Sequence, residues 1–152
     1  MSDALYGHFD ANQLHVLEHC VQYEDTDFSG FVYHANYLKF AERGRSNALR
    51  LAGIQHTDLL ALTPQLAFVV SRMEMDFVRP AHIDDVLRIE TAYTDIRGAR
   101  LVAEQRISCQ GETVWQADVL AACVDLQGRP KRMPRPMLEK LKTRQAASFK
   151  QA

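Results

Sequence analysis

The run Tyr37-Leu38-Lys39-Phe40-Ala41-Glu42-Arg43-Gly44-Arg45-Ser46-Asn47-Ala48-Leu49-Arg50-Leu51-Ala52 decides the fold class. Tyr37, Phe40, Ala41, Gly44, Ala48, Leu51 and Ala52 recur at spacings of three and four, the period of a helix with one apolar stripe. Lys39, Glu42, Arg43, Arg45, Asn47 and Arg50 supply the wet side. Asn36 is the expected N-cap and Gly53 the expected residue just past the C-terminus, so both ends are punctuated. This is the only long helical pattern in the body of the chain.

On either side of it the period falls to two. Leu14 to Tyr23 alternates as a strand, with Leu14, Val16 and Cys20 on one face and Leu17 and Val21 on the other. Beyond the helix, Leu66 to Phe77 is a strand whose Val69, Ser71, Met73, Met75 and Phe77 share a face, and Arg79-Pro80 ends it. Val86 to Asp95, Leu101 to Cys109 and Thr113 to Asp125 follow, separated by the turn signals Arg97-Gly98 and Gln110-Gly111-Glu112. The last of these is apolar on both faces at its centre, as a central strand covered by a helix should be. Pro130, Pro134 and Pro136 exclude a sheet beyond Gln127-Gly128, and Met137 to Ala147 is expected as a short basic helix. The order predicts an α+β fold, an antiparallel sheet of about five strands wrapped on one long helix.

Composition is consistent with one soluble domain: 152 residues, 47% hydrophobic and 24% charged. The apolar-rich run Leu59 to Val70 is too short and interrupted to span a bilayer. Met1 to Asp10 carries acids and no basic stretch ahead of an apolar one, so no secretory leader is expected. Cys20, Cys109 and Cys123 are odd in number and far apart, which predicts buried free thiols in a reducing compartment, and hence the cytoplasm. The net charge of −1 hides an asymmetry. Residues 1–127 hold ten Lys/Arg and eighteen Asp/Glu, whereas residues 128–152 hold eight Lys/Arg against Glu139 alone. Such a segment could meet a phosphate-bearing ligand, an anionic membrane face or an acidic partner, or form a solvated terminal helix.

The chemistry concentrates in Tyr23-Glu24-Asp25-Thr26-Asp27-Phe28-Ser29-Gly30-Phe31-Val32-Tyr33-His34-Ala35-Asn36-Tyr37-Leu38, three acids in four residues ahead of a glycine and a helix start. A helix N-terminus offers unpaired N–H groups and partial positive charge, which stabilise a carbonyl oxygen as it becomes an oxyanion. A carboxylate from the preceding loop could attack that carbonyl or deprotonate an attacking water. The alternative on spacing alone is that the acids only favour the helix start and Gly30 is a turn.

The same string resembles the 4-hydroxybenzoyl-CoA thioesterase-like hotdog proteins, in particular the bacterial acyl-CoA thioesterases associated with the Tol-Pal cell-envelope system. The resemblance continues through Phe40-Ala41-Glu42-Arg43-Gly44-Arg45, Ala67-Phe68-Val69-Val70, Asp76-Phe77-Val78-Arg79-Pro80-Ala81, Asp84-Asp85-Val86-Leu87 and Ala122-Cys123-Val124-Asp125, and covers roughly residues 13 to 135. It implies a hotdog domain over 1–135 followed by a basic C-terminal helix or tail over 136–152. It implies an acyl-CoA thioester hydrolase with Asp27 as nucleophile or general base, Asp25 shaping the loop, and the His34 N–H polarising the thioester carbonyl. The His34 side chain either assists or packs as part of the helix cap. Tyr33 and Tyr37 become pocket walls. Ser71 approaches from the opposite strand, and Arg97 and Arg100 lie near the CoA phosphates, although Gly98-Ala99 stand where relatives carry further basic residues.

The implied partners are an acyl-CoA substrate and further copies of the chain, as a homodimer or homotetramer, with weak association to an anionic membrane or the envelope machinery left open. No cofactor and no nucleic-acid partner is expected. His8, His15, His19, His56 and His82 show no metal-ligand spacing, so no metal is expected. Two other readings stand beside hydrolysis. One is a hotdog hydratase, for which Glu42 is the only acid on the helix. The other is a non-catalytic acyl-CoA-binding or envelope-complex protein.

Overall fold

The computed structural model describes residues 3–151; Met1 and Ser2, in the stretch read for a leader, and Ala152, at the end of the basic segment, lie outside the described residues. Six strands form one antiparallel sheet: β1 (His8–Phe9), β2 (His15–Cys20), β3 (Leu66–Phe77), β4 (Val86–Arg97), β5 (Arg100–Cys109) and β6 (Glu112–Asp125). Their order is β1-β2-β4-β5-β6-β3. Helix α1 (His34–Leu51) lies against one face, and two short helices, α2 (His56–Leu60) and α3 (Arg135–Lys142), flank it. This is the expected hotdog arrangement with one strand more than the five read from the sequence. The addition, β1, pairs only His8 and Phe9 with β2 and is too short to show a period.

Helix α1 starts before the predicted Tyr37, and its N-cap is Tyr33, not Asn36. Asn36 sits inside the first turn, where its side-chain amide donates to the Asp25 carbonyl at 2.8 Å. Gly53 terminates the helix as expected, at φ +88°. The buried stripe is Tyr37, Phe40, Ala41, Gly44, Ala48 and Leu49, so Leu49 takes the place expected for Leu51 and Ala52. Gly44 marks the close approach of helix and sheet: a Cβ there would sit 2.9 Å from both Ile89 Cγ2 and Thr91 Oγ1.

Arg45, expected on the wet side, turns inward, its Nη1 donating to Gln105 Oε1 at 2.8 Å. Buried Gln105 in turn donates to the Ala41 carbonyl at 2.8 Å and to Thr91 Oγ1 at 2.9 Å. A helical period cannot predict this, because the sheet offers a polar patch beneath the helix. An unpaired Gln105 would cost about 1–3 kcal/mol.

Strand β3 departs from its expected face pattern. Phe68 and Val70 pair with Cys123 and Ala121, while Met73, Met75 and Phe77 pair with Val119, Ala117 and Trp115, with a register shift between Val70 and Arg72. Directly opposed residues share a face. Val69, paired with Ala122, therefore lies on the face opposite Met73, and Ser71 is the bulged residue that reverses the alternation. The thiols also differ from expectation: Cys123 is buried, Cys109 half-buried and Cys20 exposed.

The C-terminal segment wraps the sheet. Lys131 N donates to the Cys123 carbonyl and Met133 N to the Gly98 carbonyl in the β4–β5 turn, each at 2.9 Å. Helix α3 ends at Lys142, short of the expected Ala147, and buries Leu141. Past it, Ala146 N donates to the Tyr93 carbonyl at 2.8 Å. Arg106 stacks over the Phe149 ring, and Lys150 pairs with Asp118. Among the described residues no helix is long and apolar enough to cross a membrane.

Candidate active site

The loop between β2 and α1 is built around its two aspartates. Asp25 is buried. Its Oδ2 accepts from Gln22 N at 2.8 Å and lies 2.8 Å from His19 Nε2. Its carbonyl accepts from Tyr33 N at 2.9 Å and from the Asn36 side chain at 2.8 Å. One residue thus ties β2, the loop and the helix start together.

Two residues on, the chain makes a tight turn. Asp27 N donates to the Phe31 carbonyl at 2.9 Å, and Gly30, at φ +84°, donates to the Asp27 carbonyl at 3.0 Å. A positive φ there is what glycine allows without strain. Asp27 itself is exposed. Its Oδ1 accepts from Ser29 N at 2.9 Å and from the Ser29 hydroxyl. Among the described residues no hydrogen bond reaches its other oxygen. The Ser29 hydroxyl, then the Ser29 N–H, hold the Asp27 carboxyl below the ordinary carboxylate range.

The chain then enters α1 at Tyr33 and His34. Tyr33 makes no side-chain capping bond, so no side-chain oxygen occupies the first-turn N–H groups. The exposed His34 ring sits 4.5 Å from the Tyr33 ring and 6.2 Å from that of Phe77, centroid to centroid. Tyr37 is not a pocket wall. It is buried, and its hydroxyl accepts from Ala81 N at 3.0 Å, fixing the loop before β4.

The remaining predicted residues lie at the other end of the sheet. Ser71 donates to the Leu120 carbonyl at 3.2 Å from the bulge in β3. Phe77 lies six positions further on, roughly 20 Å at the rise of a strand. Arg97 and Arg100 flank the β4–β5 turn and both pair with Asp95 Oδ2, at 3.0 and 3.5 Å. Close to them a cleft opens between the second half of α1 and the sheet, with Leu49, Phe68, Val70 and Leu101 in its lining and Glu42 and His56 at its polar side. One chain therefore carries Asp27, Tyr33 and His34 in the one loop and helix start, and keeps Ser71, Arg97 and Arg100 apart from them.

One contributor escaped the sequence reading. Ser29 orients Asp27, and the order Asp27-Phe28-Ser29-Gly30 is a side-chain-to-backbone turn that could have signalled it. Phe28 is fully exposed and Leu59 fully buried, and Phe68 lines the cleft.

Comparison with known proteins bears on this geometry. The model of the Thioesterase-like superfamily matches residues 21–141. The acyl-CoA thioester hydrolase YbgC of Escherichia coli O6:H1 is 40% identical over 124 residues, 80% of this chain and 91% of that protein. A probable thioesterase from Bartonella henselae superposes with a TM-score of 0.76 at 43% identity, over 80% of this chain and 99% of that one. A mutant 4-hydroxybenzoyl CoA thioesterase, complexed with 4-hydroxybenzoyl CoA, shares the fold at a TM-score of 0.77 and 20% identity, over 84% and 98% of the two chains.

Proposed function

The chain belongs to the thioesterase-like superfamily, and from that premise we propose that it hydrolyses acyl-CoA to the free acid and CoA with Asp27 as its catalytic carboxylate. The observation that carries the reading is the setting of that carboxylate. Ser29 holds one oxygen, the other is open, and the uncapped first turn of α1 follows a few residues on. The first-turn N–H groups, that of His34 among them, would receive the thioester carbonyl oxygen as it gains charge.

Between the two roles open to Asp27, the hydrogen bonds favour the nucleophile. A carboxylate held below its usual range is ionised at neutral pH but is a poor proton acceptor there. Attack on the carbonyl carbon expels CoA thiolate and leaves an acyl–aspartyl anhydride, which water then opens. Single-turnover hydrolysis in 18O water tests this. Label in the Asp27 carboxyl group identifies the nucleophile, with water opening the anhydride at its aspartyl carbonyl, because a general base never takes up label.

The full site needs a second copy. Strand β3 is a twelve-residue edge strand exposing Val69, Val70 and Phe77. Such an edge is a template for pairing. Antiparallel pairing of β3 with itself about a two-fold axis would set the Phe77 end of one copy beside the Val69 end of the other. The partner's Ser71, Arg97 and Arg100 would then lie on the same side as Asp27 and His34. Part of the same reading is a cytoplasmic enzyme associated with the Tol-Pal envelope system, which co-purification tests. The deciding experiment is thiol release from a panel of acyl-CoAs by wild-type and Asp27→Asn protein; equal rates would remove Asp27 from the mechanism.

A further inference from the structure

Close to the end of β2 stands a side chain to which the hydrolytic reading gives no role. His19 lies opposite buried Leu87 of β4, so its ring points to the helix side of the sheet. There it sits 4.5 Å from the ring of buried Phe40 in α1, centroid to centroid. Its Nε2 lies 2.8 Å from Asp25 Oδ2, the oxygen that also accepts from Gln22 N. A carboxylate only accepts, so the imidazole carries a proton on Nε2 and donates it. The His19 side chain is 20% exposed and that of Asp25 8%. The bond is therefore largely shielded from water, where a hydrogen bond to a charged group is strongest.

Asp25 faces two ways. Its carboxylate reaches back to β2 through His19, while its carbonyl reaches forward to the helix start, accepting from Tyr33 N at 2.9 Å and from the Asn36 amide at 2.8 Å. His19 thus touches α1 directly at Phe40 and, through Asp25, at its N-terminus. The segment between Asp25 and Tyr33 closes on itself, Thr26 bridging to Val32 and Asp27 N donating to the Phe31 carbonyl. The Asp27 carboxylate stands on one side of the Asp25–Tyr33 junction and the first-turn N–H groups on the other, so that junction sets their separation.

We propose that His19 is a positioning residue for the hydrolysis: its Nε2–H fixes Asp25, and through Asp25 the placement of the Asp27 carboxylate against the N-terminus of α1. The inference rests on the acyl-CoA reading above, with Asp27 as the carboxylate. Attack on a carbonyl held at a helix N-terminus tolerates little displacement of either group. Loosening the junction lowers the rate of the chemical step and leaves the binding of the rest of the substrate as it was.

The test compares full-length His19→Phe and His19→Gln proteins. Phenylalanine keeps the packing on Phe40 and removes the donor; glutamine gives up the ring and restores an N–H for Asp25. In His19→Phe protein, kcat for acyl-CoA should fall on the order of tenfold with KM within about twofold of wild type, at a temperature where both are folded. Exchange of the Tyr33 amide hydrogen, which is bonded to the Asp25 carbonyl, should quicken at the same time. His19→Gln should recover most of kcat and slow that exchange again. Wild-type kcat in His19→Phe protein would overturn the proposal, as would an equal loss in His19→Gln protein or a loss confined to KM. Should His19→Phe protein not fold, His19→Asn takes its place, because its shorter side chain does not reach Asp25. Should wild-type protein hydrolyse no acyl-CoA, the Asp27 reading fails, and exchange at the Tyr33 amide still decides whether His19 holds the helix start.

Discussion

Asp25 and Asp27 stand two residues apart in one loop and live in opposite surroundings. Asp25 is buried, and its side chain and carbonyl together engage Gln22, His19, Tyr33 and Asn36. Asp27 is exposed, and the partner that binds its side chain most closely is Ser29. A buried carboxylate tied to β2 and to its own loop holds structure because every partner it loses becomes an unsatisfied group. An exposed carboxylate with a free oxygen can meet a substrate. In the proposed mechanism the loop divides the work, its first half fixing the helix start and its second half presenting the reactive group.

The largest test of that division is Asp27→Asn. Hydrolysis of acyl-CoA should fall on the order of 10³-fold with no change in thermal midpoint, since the exchange keeps size and removes the reacting charge. A drop in stability of the same variant would erase the contrast with Asp25.

The second test asks whether the open half of the loop works alone. Val69→Asp places a charge on the exposed edge of β3, away from Asp27, and should yield a monomer by sedimentation. Turnover per chain should fall by about 10²-fold, because groups needed together then sit on separate molecules. An active monomer would show that one chain suffices.

Asp25→Ala sharpens the comparison from the other side. It should cost roughly 1–3 kcal/mol in urea unfolding by leaving the Gln22 N–H without its acceptor. Its loss of turnover should be smaller than that of Asp27→Asn.

The smallest expected effect concerns pH. In the proposed mechanism the ionised form of Asp27 is the active one, and Ser29 lowers its pKa. Activity should therefore persist as pH falls through about 3.9, the ordinary aspartate value, and fail only below it. Ser29→Ala removes the hydroxyl donor and should move the acid limb of kcat/KM upward. An unmoved limb would mean that Ser29 does not tune Asp27.

Helix α1 and strands β2 to β6 were legible because each is long enough to repeat a period. Helix α1 shows where that legibility stops. Its stripe predicts Tyr37, Phe40, Ala41, Gly44 and Ala48 as buried, and they are. It could not predict that Arg45 points inward, because that depends on Gln105, sixty residues away in sequence. The helix start was misplaced for a related reason: Asn36 is a good capping residue by type, but Tyr33 N is already committed to the Asp25 carbonyl. In β3 a single bulged residue, Ser71, reversed the alternation, and nothing local distinguishes it from a regular strand serine.

The sequence by itself determined the local matters: one long helix, antiparallel strands, an acidic turn ahead of a helix start, and a basic C-terminus. These follow from spacing and residue type within short windows. Only the tertiary structure decided which aspartate is buried and which is free, that Tyr37 anchors a loop, and that the basic segment docks on the Gly98 turn while Arg97 and Arg100 are already paired. Those outcomes depend on contacts between residues distant along the chain, where burial and hydrogen-bond competition, not residue type, set what each side chain can do.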